Sequence, residues 1–170
     1  SDLFKTFAVP ALTLLISIIL AFLIIGPIAT FASDLLGAAF TALFNLNATI
    51  SGFLYGALIQ VCVMFGVHWG FVAISVNNLA TLGYDPITIA GLASAFGQAG
   101  VVLMIMLRTK NKKLKSVCGP AIISAMVGIT EPSIYGVTLQ FKKPFMLACL
   151  ASGIGGAIIG FGGVKQYVYG

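Results

Sequence analysis

Met126-Val127-Gly128-Ile129-Thr130-Glu131-Pro132-Ser133-Ile134-Tyr135-Gly136 holds the only glutamate of the 170-residue chain, inside a stretch from Ser116 to Phe141 that carries no other charge. An ionisable group at bilayer depth costs about 2.5–3.5 kcal/mol on insertion scales. Glycine and proline beside it break a helix and free backbone groups, which is tolerable at that depth only where protein or a water-filled cavity satisfies them. A carboxylate at such a break reads as a site.

The composition says what surrounds it. The chain is 59% hydrophobic, with a mean hydropathy of +1.10 and 8% charged residues. Soluble domains carry about 25% charged residues, so the sequence is that of an integral membrane protein. Phe7 to Ala32 is 26 residues without a charge, enough to cross a hydrocarbon layer of about 30 Å. It is too long for a signal-peptide core, and a cleaved signal is not expected. The opening residue is not methionine, which suggests a piece of a longer chain.

A net charge of +5 raises nucleic acid as a partner. The basic residues, however, sit almost entirely in two short segments: Arg108, Lys110, Lys112, Lys113 and Lys115, then Lys142 and Lys143. No aromatic residues are interleaved to stack on bases, so these are read as cytoplasmic loops of a membrane protein and nucleic acid is excluded. The lysine cluster also suits docking of an acidic or phosphorylated partner, although orientation alone explains it. Cys62, Cys118 and Cys149 show neither metal-ligand nor CxxC spacing and read as reduced packing residues. No metal or cofactor is expected.

Charge and length then set a topology. Both basic clusters belong on the cytoplasmic face, yet the segment between them is broken midway by Gly128 and Pro132. A single crossing would put its ends on opposite sides; a hairpin over 116–141, with Thr130 and Glu131 at its tip, does not. Spans are expected at 7–32, 86–107 and 144–164, which places Asp34 and Asp85 outside. The stretch between those two acids begins and ends outside and is broken at Gly66-Val67-His68-Trp69-Gly70. It reads as a second hairpin over 48–84 entering from the other face, with two full spans as the alternative. The expected fold is all-α: a polytopic membrane helical bundle with two oppositely oriented re-entrant helical hairpins, an arrangement known from transporters with a midplane site. Gly156 and Gly160 form a GxxxG pattern, extended by Gly153, Gly155, Gly162 and Gly163, which predicts close helix approach within the chain or between copies.

The residues at the two breaks could carry chemistry. Glu131 can cap a half-helix starting at Pro132. Thr130 could cap it without a charge, so capping alone does not explain an acid. As a functional group, a carboxylate in a dry cavity accepts hydrogen bonds from hydroxyls and takes a proton as a general base. His68, the only histidine, precedes the only tryptophan, Trp69. Imidazole offers a donor and an acceptor and indole an apolar face, which together suit the hydroxyl edge and C–H face of a sugar. Asn77 and Asn78 are further sugar-binding candidates, or else interhelical glue. Gln60 and Gln98 read as glue, and Thr138 and Gln140 as cavity-lining or interfacial. Two rival readings stay open from these residues: a proton-coupled secondary sugar transporter with Glu131 as coupling carboxylate, and a structural membrane module in which Glu131 only caps.

Gly128-Ile-Thr-Glu-Pro-Ser-Ile-Tyr-Gly-Val-Thr-Leu, followed by Phe141-Lys-Lys-Pro-Phe, resembles the GITEP-type motif of sugar phosphotransferase-system membrane components, the enzyme IIC domains of the glucose superfamily. Val67-His68-Trp69-Gly70 with Asn77-Asn78 and Leu82-Gly83-Tyr84-Asp85 is similar to the β-glucoside branch. The likeness extends over essentially the whole chain.

The resemblance implies a permease of the bacterial cytoplasmic (inner) membrane that couples translocation of a sugar to phosphorylation of its 6-hydroxyl. The phosphoryl donor would be a phosphocysteine on a IIB domain, in cis or in trans, charged by upstream phosphocarriers. Glu131 would be the catalytic, hydroxyl-binding carboxylate. His68, Trp69, Asn77, Asn78 and Thr130 would join it in binding the sugar. The half-helix N-terminus near Glu131 would face the incoming phosphoryl group. Such IIC domains are about twice this length, and the missing N-terminal spans usually carry a homodimer interface. The IIB cysteine motif is also absent, so this piece is not expected to phosphorylate sugar alone.

Overall fold

A computed structural model describes residues 2–169 of the chain, and among them the fold is helical. The first segment contains α1 (Asp2–Leu20), a π turn (Ala21–Ile25) and α2 (Gly26–Leu46), running as one continuous rod. The π turn is where Gly26 donates to the Ala21 carbonyl. It precedes Pro27, whose ring would crowd the carbonyl four residues back in a regular helix, and a widened turn relieves that conflict.

The expected end of the first span at residue 32 is not where the helix stops. Thr6–Leu46 is 41 residues long, about 60 Å of helix against about 30 Å of hydrocarbon. Asp34 lies exposed partway along it. A lone charge on an open helix face does not break a helix, and no glycine–proline pair follows Asp34. The helix ends at Asn47, whose side chain turns to cap α3 (Ala48–Met64) by accepting from the Ile50 N–H at 3.0 Å.

α3 is followed by a turn and α4 (Trp69–Leu82). Next come a 3₁₀ turn (Thr88–Gly91) and α5 (Leu92–Arg108), together one apolar helix Thr88–Arg108. α6 (Lys112–Met126) is capped by Asn111, which accepts from the N–H groups of Lys113 and Leu114. A second turn leads to a short α7 (Glu131–Ser133) that widens into a π turn (Ile134–Thr138). α8 (Lys142–Phe161) closes the bundle. Thr88–Arg108 and Lys142–Phe161 overlap the segments 86–107 and 144–164 expected to span, and among the described residues they are two of three helices long and apolar enough to cross a membrane. Lys142 and Lys143 begin α8, and Lys112, Lys113 and Lys115 begin α6, rather than lying in loops.

Small residues set the centre of the bundle. A Cβ on Gly52 would strike the Gly156 carbonyl oxygen, one on Gly56 the Ser152 carbonyl oxygen, and one on Gly160 the Ala48 carbonyl oxygen. These pairs run in opposite directions, so α3 and α8 are antiparallel and touch backbone to backbone. Gly97 of α5 lies against Ser152, and Gly155 of α8 against Ala93. The glycine stripe of α8 is thus consumed inside the chain. Beside it, Phe40, Tyr55 and Phe71 lock α2, α3 and α4 together with edge-to-face rings, their centroids 4.9–5.5 Å apart. α1, by contrast, buries none of its described side chains.

One end of the bundle is tied by polar groups. Asp85 and Gln166 pair through their backbones, and their side chains form a cluster with Ser75, Asn78 and Thr88. The fully buried Asp85 carboxylate accepts from Asn78 Nδ2 at 2.9 Å, from the N–H groups of Ile87 and Thr88, and from the Thr88 hydroxyl. Burial pushes its pKa up, but the hydrogen bonds from Thr88, Asn78, Ser75 and Ile87 outweigh it and hold the pKa below the ordinary value.

Asp85→Ala is therefore expected to cost about 1–3 kcal/mol by leaving buried donors unpaired, seen as a lower melting temperature of the solubilised protein. With the folded pKa depressed, the contribution of Asp85 is present above about pH 4 and is lost as pH falls through the folded value. The gap between wild type and variant should narrow in acid. Coincident melts at neutral pH would show that this cluster does not tie the ends.

Candidate functional site

The two turns are built alike. After α3, Gly66 adopts φ +72°, with its N–H on the Val63 carbonyl and the Val67 N–H on the Cys62 carbonyl. After α6, Gly128 adopts φ +92°, with its N–H on the Ala125 carbonyl and the Ile129 N–H on the Ser124 carbonyl. Both are helix stops that need a left-handed residue, which glycine supplies without strain. The second turn is also stapled by the Ser124 hydroxyl on the Ile129 carbonyl at 2.9 Å.

These turns meet. The Tyr135 hydroxyl, one turn past Glu131, donates to the Met64 carbonyl at the end of α3 at 3.1 Å. Between them lies a cavity of about 360 Å³ lined by His68 from the first turn and by Gly128 and Thr130 from the second. That volume falls at the small end of the range for small-molecule sites. Tyr55, Ile59 and Phe71 give it an apolar wall, and Thr88, Ser94 and Gln166 add polar groups.

Glu131 is half-buried and does not itself line the cavity, although its neighbour Thr130 does; it stands close enough to His68 for their charges to interact. Among the described residues its carboxylate accepts no side-chain or backbone hydrogen bond, and neither it nor Thr130 caps α7 through a side chain. The arm that follows begins at Glu131, beside the Pro132 at which the sequence places the start of a half-helix. It is a three-residue α turn continued by a five-residue π turn. His68 Nδ1 is buried without a partner, an arrangement that leaves hydrogen-bonding capacity unused.

The other candidates lie elsewhere. Trp69 is 68% exposed, with its ring centroid 5.4 Å from that of His68, and does not line the cavity. Asn77 is exposed on α4, and Asn78 donates to Asp85. Neither asparagine lines the cavity. Gln60, Gln98 and Thr138 are fully buried and form a chain across three elements: the Thr138 hydroxyl donates to Gln98 Oε1 at 3.1 Å, and Gln98 Nε2 donates to Gln60 Oε1 at 3.4 Å. They are glue between α3, α5 and the π turn.

Tyr55, Thr88, Ser94 and Gln166 were not singled out by sequence. Each reads locally as an ordinary span or tail residue, and Gln166 reaches the site only through its pairing with Asp85, 81 positions away.

A family model described as "Phosphotransferase system, EIIC" matches residues 2–153. The chain is 46% identical over 169 residues to the "PTS system beta-glucoside-specific EIIBCA component" of Halalkalibacterium halodurans, covering 99% of this chain and 27% of that protein. It is 41% identical to the protein of the same name from Dickeya chrysanthemi, covering 98% of this chain and 26% of that protein. It is 31% identical to the "PTS system sucrose-specific EIIBC component" of Bacillus subtilis, covering 95% of this chain and 35% of that protein. The chain thus spans about a quarter to a third of the length of these relatives. No solved structure matches it.

Proposed function

Since the chain belongs to the phosphotransferase-system EIIC family of sugar permeases, we propose that it is the part of a permease that holds a β-glucoside in the membrane and presents its 6-hydroxyl for phosphorylation. The observation that carries this reading is the meeting of the two turns, where His68 and Thr130 line one small cavity and the carboxylate of the adjoining Glu131, free of hydrogen bonds among the described residues, lies within charge range of His68.

The helices surrounding that cavity support opposed re-entrant hairpins. α3 starts beside Gly160 near the end of α8, whereas the start of α6 lies with Lys142 at its beginning. α3 and α4 are 17 and 14 residues long, at or below the minimum of about 17 for a full crossing. Their shortness favours a hairpin over two spans. The basic residues at the starts of α6 and α8 face the cytoplasm on this reading, in the bacterial inner membrane.

In the proposed reaction the donor is the phosphocysteine of a IIB domain. Glu131 accepts the proton of the sugar 6-hydroxyl as its oxygen forms the new O–P bond. The S–P bond breaks and the cysteine leaves as thiolate. Phosphoryl transfer depends mostly on positioning and charge stabilisation, so a cavity that fixes the hydroxyl in line supplies much of the catalysis. His68 holds the sugar through its ring nitrogens, and Thr130 supplies a further hydroxyl at the same wall.

The test uses the full-length protein carrying this chain, in membrane vesicles supplied with phosphorylated IIB and a labelled aryl-β-glucoside. The expected product is the 6-phosphosugar, formed only when phosphorylated IIB is present. Accumulation of unmodified sugar driven by a proton gradient and indifferent to IIB would replace this reading with the proton-coupled one.

A further inference from the structure

A second cavity lies away from the site described above. It is a groove of about 1010 Å³ between α5 and α8, closed at one end by the start of α6. Its walls are apolar over most of their length, with Phe96, Met104 and Leu147 contributing large side chains. Arg108, Lys142 and Lys143 stand together at one end. All three are exposed, and among the described residues no acid pairs with them.

From the charge and shape of this groove we propose a binding site for an anionic phospholipid, with the headgroup phosphate on Arg108, Lys142 and Lys143 and an acyl chain along α5. Three observations support that occupant. First, charge and apolar length are segregated along one axis, as they are in a lipid. A phosphosugar or free phosphate would use the cations and leave the rest of the groove empty. Second, from Arg108 back to Phe96 the helix rises about 18 Å, close to one leaflet of a hydrocarbon layer about 30 Å thick. Third, Gly100 faces open space, with no atom within 4 Å of where its Cβ would stand. The groove is kept open there by a missing side chain that packing does not require. Basic pockets between membrane helices at the cytoplasmic side are recurrent sites for anionic headgroups.

This inference rests on the membrane reading but not on the sugar chemistry, so the two fail independently. The full-length protein would be extracted in mild detergent, offered phosphatidylglycerol or phosphatidylcholine, and its retained lipid counted by native mass spectrometry. Wild type should retain phosphatidylglycerol in preference. Lys142→Gln with Lys143→Gln should weaken retention about fivefold per charge removed. Gly100→Leu should abolish retention without lowering the melting temperature, because its side chain enters open space. Equal retention of the two lipids would overturn the proposal, as would undiminished binding by Gly100→Leu. So would a full-length protein that retains neither lipid, since another segment of the chain would then fill the groove.

Discussion

Glu131→Gln in the full-length protein is expected to lower 6-phosphosugar formation by about 10²–10⁴-fold, the usual worth of a positioned general base. That is about 3–5 kcal/mol of barrier. Glutamine keeps the shape of the side chain and one acceptor oxygen but cannot take the hydroxyl proton at neutral pH. Sugar affinity should fall far less. Exchanging a charged hydrogen bond for a neutral one loses about 1 kcal/mol, or about fivefold in Kd. The split matters because the competing structural reading makes the opposite forecast. If Glu131 merely capped a helix, the variant would melt earlier and transfer phosphoryl groups normally. α7 has no side-chain cap to lose, so the melt should stay put. Rates within a few-fold of wild type would remove Glu131 from the chemistry.

How far such a site can be read without coordinates depends on the range of the signal. Gly66 and Gly128 are local signals: each ends an apolar helix with a left-handed residue, and both breaks were legible. The sequence also puts one ionisable residue at each break, His68 and Glu131, but that the two come within charge range of each other is seen only in the fold. Asn77 and Asn78 lie away from the cavity lined by His68 for a physical reason. Their distance from His68 along α4 carries them to the far end of that helix, where Asp85 takes the Asn78 amide. Trp69 follows His68 directly, and neighbours on a helix point about 100° apart, so one can line a cavity while the other faces outward. The first helix runs on past the expected span boundary at residue 32 because a charge such as Asp34 does not end a helix; termination depends on backbone groups finding other partners, as they do at Asn47. Cavity residues such as Gln166 depend on contacts 81 positions apart in sequence and have no local signature.

Gly156→Leu is expected to be the most destabilising single change in the bundle, and the reason lies in what it would meet. Overpacking typically costs about 1–3 kcal/mol when side chains can shift. Here the first added carbon collides with the Gly52 carbonyl oxygen, and the Gly56 Cα lies 3.4 Å away. Backbone cannot rotate aside, so α3 and α8 must separate. Even Gly156→Ala should destabilise, although alanine is worth about 1 kcal/mol more than glycine in an ordinary helix. Gly100→Ala supplies the opposite sign: its Cβ enters open space, so the propensity gain should appear as a higher melting temperature. Melts of the two alanine variants that move in the same direction would defeat the argument. The consequence for function follows from connectivity. α3 leads into the turn that brings His68 to the cavity, while the second turn is held through α6 and α5, and α5 packs on α8. Displacing α3 from α8 moves His68 away from Glu131. Any Gly156 variant that still folds should therefore lose sugar affinity together with phosphorylation rate, unlike Glu131→Gln, which separates them.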